Sequence, residues 1–280
     1  MKIQKSFFDF IFKIIIAVVC YCITCIIFIF ILTKLGVDFK EYVNDLEYLY
    51  IVMLVFLFLN SNAEDGGIFM YLKKDFVKSK SLYVITLPII IALLENIITD
   101  ISRYIPLYWG GTIINIGSNQ AIINLNICTI EYWICFCIFP AFNEEMIFRF
   151  FMYRGLLVFL NNCILDNTEI KGDDYYIKKS AFKIISFVSK CINKFKNDLF
   201  IEKKDYAVIG WIIVTSALFA LGHGTDFSNF YMYFIPGTLF AMLYLKYGLL
   251  SAMLCHMMGN YFSPVIGHFI KLILENLLIK

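Results

Sequence analysis

The sequence predicts an all-α fold, a polytopic membrane helical bundle of about seven to eight transmembrane helices. Three observations carry this reading. Of the 280 residues, 60% are hydrophobic and 16% charged, where soluble domains hold roughly 45–50% and about 25%. Mean hydropathy is +0.75. The apolar residues gather into runs that approach or exceed the roughly 20 helical residues needed to cross about 30 Å of hydrocarbon. Between these runs, lysines concentrate on alternate connections, as membrane topology requires. The lipid bilayer is therefore the expected environment, and nucleic-acid modules, collagen-like and disordered chains are excluded.

The elements follow in order. An uncharged run from Ile14 to Thr33 is too long for a signal-peptide core and ends at Lys34 without a small-residue cleavage site, so it reads as the first span. A second covers Leu46 to Asn62. A third, Ser81 to Ile98, carries Pro88 and Glu95 and predicts a kinked helix with a polar side. From Tyr104 to Ile130, Gly110, Gly111, Asn115, Gly117, Asn119 and Asn124 break the pattern into an outer loop. Glu131 to Leu160 is a fourth span despite Glu144, Glu145, Arg149 and Arg154. In the lysine-rich 161–206 insertion, Phe182, Ile185, Val188, Ile192, Phe195 and Leu199 recur every three or four positions. That pattern predicts an amphipathic helix on the lipid surface. Ala207 to His223, Phe227 to Leu245 and Tyr247 to Ile270 complete a count of seven spans, with room for an eighth in the 104–130 region or at the C terminus. Lys271 to Lys280 reads as interfacial.

The charge bias orients this layout. Lys2, Lys5 and Lys13 precede the first span; Lys73, Lys74, Lys78 and Lys80 separate the second and third; the insertion holds nine lysines. Asp38, Glu41, Asp45 and Glu47 lie on the alternate side. The N terminus and the 161–206 insertion are therefore expected in the cytoplasm. No internal repeat appears, so residues 1–280 read as a single membrane domain. Most of the nine cysteines lie inside apolar runs, and none forms a zinc-ribbon pair.

Charges inside the membrane cost about 2.5–3.5 kcal/mol each and need a compensating role. The sequence has only three arginines and three histidines. Glu145 and Arg149 are four residues apart and share a helix face, so they can neutralise each other. Glu144 points about 100° away and keeps its carboxylate available. Phe219 and His223 are also four apart, at the end of a span, as are His256 and Asn260 inside the last one. A carboxylate, two imidazoles and an amide from three helices are the groups needed to activate a water and stabilise an oxyanion. Blander roles compete for each residue alone: an ion-pair staple, a packed histidine, an amide joining helices. His268, near the membrane edge, is left to such a role, as are Glu95 and Asp100, which lie near a helix end where long side chains snorkel.

The three motifs, Glu144-Glu145 with Arg149, Phe219 with His223, and His256 with Asn260, in this order resemble those of the CAAX protease and bacteriocin-processing (Abi) family. It includes the type II CAAX prenyl endopeptidases and proteins of the lysostaphin resistance protein A type. The resemblance covers the motif-bearing core, about residues 130–265. Two features depart from it: Phe150 stands where the family often has glycine, and the insertion is long.

The resemblance implies an intramembrane endopeptidase acting on a membrane-associated protein or peptide, prenylated substrates included. Glu144 with His223 would activate the water, His256 and Asn260 would hold the oxyanion, and Glu145, Arg149 and Phe219 would support them. No cofactor is expected, since Asn260 suits an oxyanion hole better than a zinc shell; zinc at Glu144, His223 and His256 is the alternative. Two other classes use the same residue types: a non-catalytic immunity or scaffold protein keeping the family fold, and a transporter.

Overall fold

The computed structural model describes residues 67–115, 129–163 and 189–278, with isolated positions 26, 30, 33, 34, 55 and 187. The first two expected spans, the N-terminal lysines, most of the outer loop and the first half of the insertion lie outside the described residues. Within them the chain is helical, with no strand.

Helix α1, Gly67–Phe76, occupies what the sequence suggests is a plain connection. It is a short helix whose Ile68 and Asp75 are both buried. Helix α2, Tyr83–Tyr104, runs on into a 3-10 turn, Ile105–Trp109, and stops at Gly110, whose φ of 76° suits a residue without Cβ. Helix α3 is a composite. Its α-helical pieces Ile130–Tyr132, Phe139–Glu145 and Leu156–Cys163 are joined by π-helical Trp133–Ile138 and Met146–Gly155. Such widened turns gather at functional sites. Here they flank the piece that carries Glu144 and Glu145.

Part of the predicted amphipathic helix follows, ending in the π-turn Asn197–Ile201. Helix α4, Asp205–Gly222, leads to His223 at its C-terminal cap. The sequence reading starts the next span at Phe227, but an Asp226 turn intervenes. Asp226 accepts hydrogen bonds from the Ser228 hydroxyl and amide and from the Asn229 amide, which hold its pKa below the ordinary carboxylate value. Helix α5 therefore begins later, at Tyr231–Tyr247. Helix α6, Leu249–Leu278, extends past the expected end at Ile270 through most of the stretch read as interfacial. It packs along α2, α5 and α3, and α5 also packs on α4.

Inside the bundle, buried polar residues stand beside an apolar core, while the outer faces are apolar. On α2, Glu95, Asn96 and Asp100 are buried while Leu94, Ile98 and Ile101 are exposed; on α4, Ile209, Ile213, Val214 and Leu221 are exposed. Among the described residues, two helical stretches, Tyr83–Trp109 and Asp205–Gly222, are long and apolar enough to cross a bilayer. The count of seven to eight spans goes beyond these two.

Three prolines explain three joints between helices. Proline has no N–H to give the carbonyl four residues earlier. For Pro88 that carbonyl is Val84 O, which accepts from the Ser251 hydroxyl at 2.6 Å. For Pro140 it is Phe136 O, which accepts from Asn260 Nδ2 at 3.0 Å. For Pro264 it is Asn260 O, which accepts from the Tyr132 hydroxyl at 2.8 Å. Each carbonyl thus gains a donor from another helix, as the interior of a membrane protein demands. Ser251→Ala and Tyr132→Phe are each expected to cost about 1 kcal/mol, measured as resistance to denaturing detergent. An unchanged transition in both variants would remove this account of the joints.

A second polar knot ties α1 to α3 and α5. Arg154 donates two hydrogen bonds to Asp75, one at 2.8 Å from Nη2, and the Tyr244 hydroxyl donates to Asp75 at 2.9 Å. Lys78 Nζ donates to Tyr244 O at 3.0 Å and lies 4.2 Å from the centre of that ring. Burial pushes the Lys78 pKa down to about 8. Burial alone would raise that of Asp75, but Arg154, Lys78 and Tyr244 more than offset it and leave the carboxyl below its ordinary value of 3.8. Gly248 closes the knot. Its φ is +104°, and a Cβ there would stand 2.5 Å from Asp75 O.

Asp75→Ala should destabilise the protein by about 3–5 kcal/mol, since it strands Arg154 in a mostly buried site. A depressed acid stabilises the fold above its unfolded pKa. The Asp75 contribution should thus be complete above about pH 4 and fade as pH falls through the lower folded value. Thermal midpoints of the wild type and Asp75→Ala should converge on acidification; parallel curves would contradict this.

Candidate active site

The site lies where α3, α4 and α6 meet, with α2 and α5 as walls. Glu144 ends up on the inner face of α3, about one quarter exposed. His223 stands at the end of α4 because the helix stops there, Gly224 taking a positive φ of 64°. His256 projects from the middle of α6 and is 4% exposed.

Both imidazoles turn the same atom toward Glu144. Nε2 of His223 is 3.5 Å from Glu144 Oε2, and Nε2 of His256 is 3.8 Å from it. Their other nitrogens are engaged. His223 Nδ1 lies 2.9 Å from Phe219 O, and a carbonyl only accepts, so Nδ1 carries the proton and Nε2 holds the lone pair. His256 Nδ1 donates to Glu145 Oε1 at 3.1 Å. Nδ1 is therefore the donor in both rings.

Glu145 and Arg149 are completely buried and form the expected i, i+4 ion pair, Nε to Oε2 at 3.1 Å. Their contact is ionic and not aligned as a hydrogen bond. The guanidinium also lies 5.2 Å from the centre of the Phe219 ring. Phe219, 1% exposed, touches both histidine rings, tilted against His223 with centroids at 4.6 Å and edge-on to His256 at 5.6 Å. The residues of the three motifs thus come together. Phe150, in place of glycine, is fully buried and belongs to the packed core.

A cavity of about 160 Å³ adjoins the cluster, lined by His223, His256, Asn260, Phe219, Tyr233 and Phe240 and by α2 residues Glu95, Asn96, Asp100 and Arg103. Asn260 lines this space while one of its amide hydrogens goes to Phe136 O. The α2 wall corrects the expectation that Glu95 and Asp100 snorkel. They are 9% and 3% exposed, and Asp100 accepts from Arg103 Nη1 at 3.0 Å. The signal was present: Glu95, Asn96, Thr99, Asp100 and Arg103 recur at helical spacing on one stripe, opposite the lipid-facing leucine and isoleucines. His268, also left to a bland role, is exposed.

Among the described residues, no group of three or more His, Cys, Asp or Glu is placed to hold one metal ion. Glu144 Oε2 is in ionic contact with the two Nε2 atoms and makes no hydrogen bond to either.

Apolar outer faces, buried polar residues and a carboxylate facing two oriented imidazoles define a helical membrane protein with the groups of a hydrolase. Residues 127–262 match the family model described as Type II CAAX prenyl endopeptidase Rce1-like, so the segment is similar to that family. The match coincides with the motif-bearing core. No curated protein and no solved structure matches the chain.

Proposed function

We propose that this protein is an intramembrane endopeptidase of the CAAX protease type, which cleaves a membrane-associated protein or peptide with a water activated by Glu144 and His223. The observation that carries this is the placement of Glu144 Oε2 between two Nε2 atoms, at 3.5 and 3.8 Å, beside a cavity. A water bound there would give its proton to the Glu144 carboxylate as its oxygen attacks the scissile carbonyl. His256, as an imidazolium with Nδ1 donating to Glu145 and Nε2–H left to donate, and Asn260, with the amide hydrogen that Phe136 does not use, would stabilise the oxyanion. As the tetrahedral intermediate collapses, the C–N bond breaks and the proton held by Glu144 passes to the leaving amine. No serine or cysteine nucleophile is required.

In this reading the reaction needs no metal, the groups around Glu144 being oriented by hydrogen bonds of His223, His256 and Asn260. Zinc tightly bound to the purified wild type, and lost in His223→Ala, would overturn that part. The N terminus and the lysine-rich insertion face the cytoplasm, the chain crosses the bilayer seven or eight times, and residues 1–280 act as one membrane domain around the core. The test is cleavage of prenylated and unprenylated peptides ending in a CAAX sequence by purified protein in lipid nanodiscs. A single cut dependent on Glu144 supports the proposal. Non-catalytic immunity, scaffold or transport roles predict no cut, and a Glu144→Gln phenotype equal to wild type would favour the first two.

A further inference from the structure

The motifs leave α5 without a role, yet α5 holds both catalytic rings. Tyr233 stacks on His223, with centroids 4.2 Å apart and planes at 25°. Phe240 stacks on His256, at 4.8 Å and 15°. The two aromatics are seven residues apart, two helical turns, and so stand on one face of α5. Between them, one turn from Tyr233, lies Gly237. A Cβ at that position would stand 3.2 Å from Phe219 Cδ1 and 3.4 Å from Ser216, so the missing side chain lets α5 approach α4 closely. Phe219 backs the same two imidazoles from α4, tilted against His223 and edge-on to His256.

Each histidine has one hydrogen bond, at Nδ1. A single bond fixes where the ring is attached but leaves it free to tilt, and tilting swings Nε2 away from Glu144. A ring stacked face to face removes that freedom. We infer that Tyr233 and Phe240, spaced by Gly237, are positioning residues that set the planes of His223 and His256 so that both Nε2 atoms meet Glu144. The inference rests on the hydrolytic reading for its kinetic consequence, but not for its geometric one.

Two measurements on the full chain in nanodiscs separate these. The first is carbethoxylation by diethyl pyrocarbonate, followed by peptide mass mapping, with exposed His268 as internal reference. Tyr233→Leu should speed modification of His223 relative to His268 by about five-fold or more, because removal of the covering ring frees and exposes the imidazole. Tyr233→Phe, which keeps the stack, should match wild type. Tyr233→Met, close in bulk but not aromatic, should behave as the leucine variant and serves if that variant folds poorly. The second measurement is peptide cleavage. Tyr233→Leu should lower kcat by about 10- to 100-fold with KM changed less than about two-fold, and Tyr233→Phe should restore it.

Equal His223 reactivity in wild type, Tyr233→Leu and Tyr233→Met overturns the inference whatever the activity. The expected reactivity change in a wild type that cuts no peptide overturns the hydrolytic reading and leaves the positioning geometry supported.

Discussion

Glu144→Gln is expected to lose about 10³-fold or more in turnover while its thermal midpoint stays near that of the wild type. The substitution keeps the size of the side chain and removes only its ability to take a proton. Glu144 is one quarter exposed, and its two histidine neighbours each have a second anchor, Phe219 O for His223 and Glu145 for His256. The fold therefore does not depend on the Glu144 charge. The chemistry does, because the proposed water would lie between Glu144 and Nε2 of His223, whose lone pair is directed by the Phe219 carbonyl anchor. A general base contributes about 10²–10⁴-fold, and loss of the orientation it gives the water adds to this. Peptide cleavage with saturating substrate, paired with a thermal melt, reads both halves. A variant that melts early would place Glu144 among the structural residues.

Arg149→Ala should have the opposite signature, loss of the fold with activity lost as a consequence. Arg149 is paired with Glu145 at 3.1 Å, and both side chains are wholly buried. Removing it leaves a carboxylate without its counter-ion in a dry interior, a change worth about 3–5 kcal/mol. It also removes the guanidinium from the Phe219 ring, which touches both imidazoles. The double variant Glu145→Gln/Arg149→Met separates stability from function. It buries no unpaired charge and should recover much of the lost stability. It should not recover turnover, because His256 Nδ1 no longer donates to a carboxylate. Full activity in the double variant would show that Glu145 does not orient His256.

The contrast between these neighbours was legible in the sequence, since a helix of 3.6 residues per turn sends Glu144 and Glu145 in different directions. Their surroundings were not. The i, i+4 rule places Arg149 against Glu145 but cannot say that His256, 111 residues later, donates to the same carboxylate. The π-helical turns of α3 leave no mark in hydrophobic periodicity, because Trp133–Ile138 is apolar on every face and Met146–Gly155 is broken only by Arg149 and Arg154. The α2 wall was misjudged for a different reason. Glu95 and Asp100 were weighed singly, as charges near a helix end, and a stripe emerges only when Asn96, Thr99 and Arg103 are counted with them. Helix ends moved where local hydrogen bonds overrode hydropathy, as at Asp226, whose turn delays α5 to Tyr231. The dual use of Asn260, whose side chain caps the Pro140 joint while its backbone carbonyl is capped across the Pro264 joint, depends on contacts between distant helices. The prolines were visible; their donors were not.

Hydrolysis by a water based on Glu144 is tested most directly with purified protein in nanodiscs, treated with chelator and given a prenylated CAAX peptide in ¹⁸O-enriched water. The wild type should release one product pair with ¹⁸O in the new carboxylate, and Glu144→Gln, at an unchanged thermal midpoint, should release about 10³-fold less. Equal turnover by the Glu144→Gln variant, or a wild-type product without ¹⁸O, would contradict it.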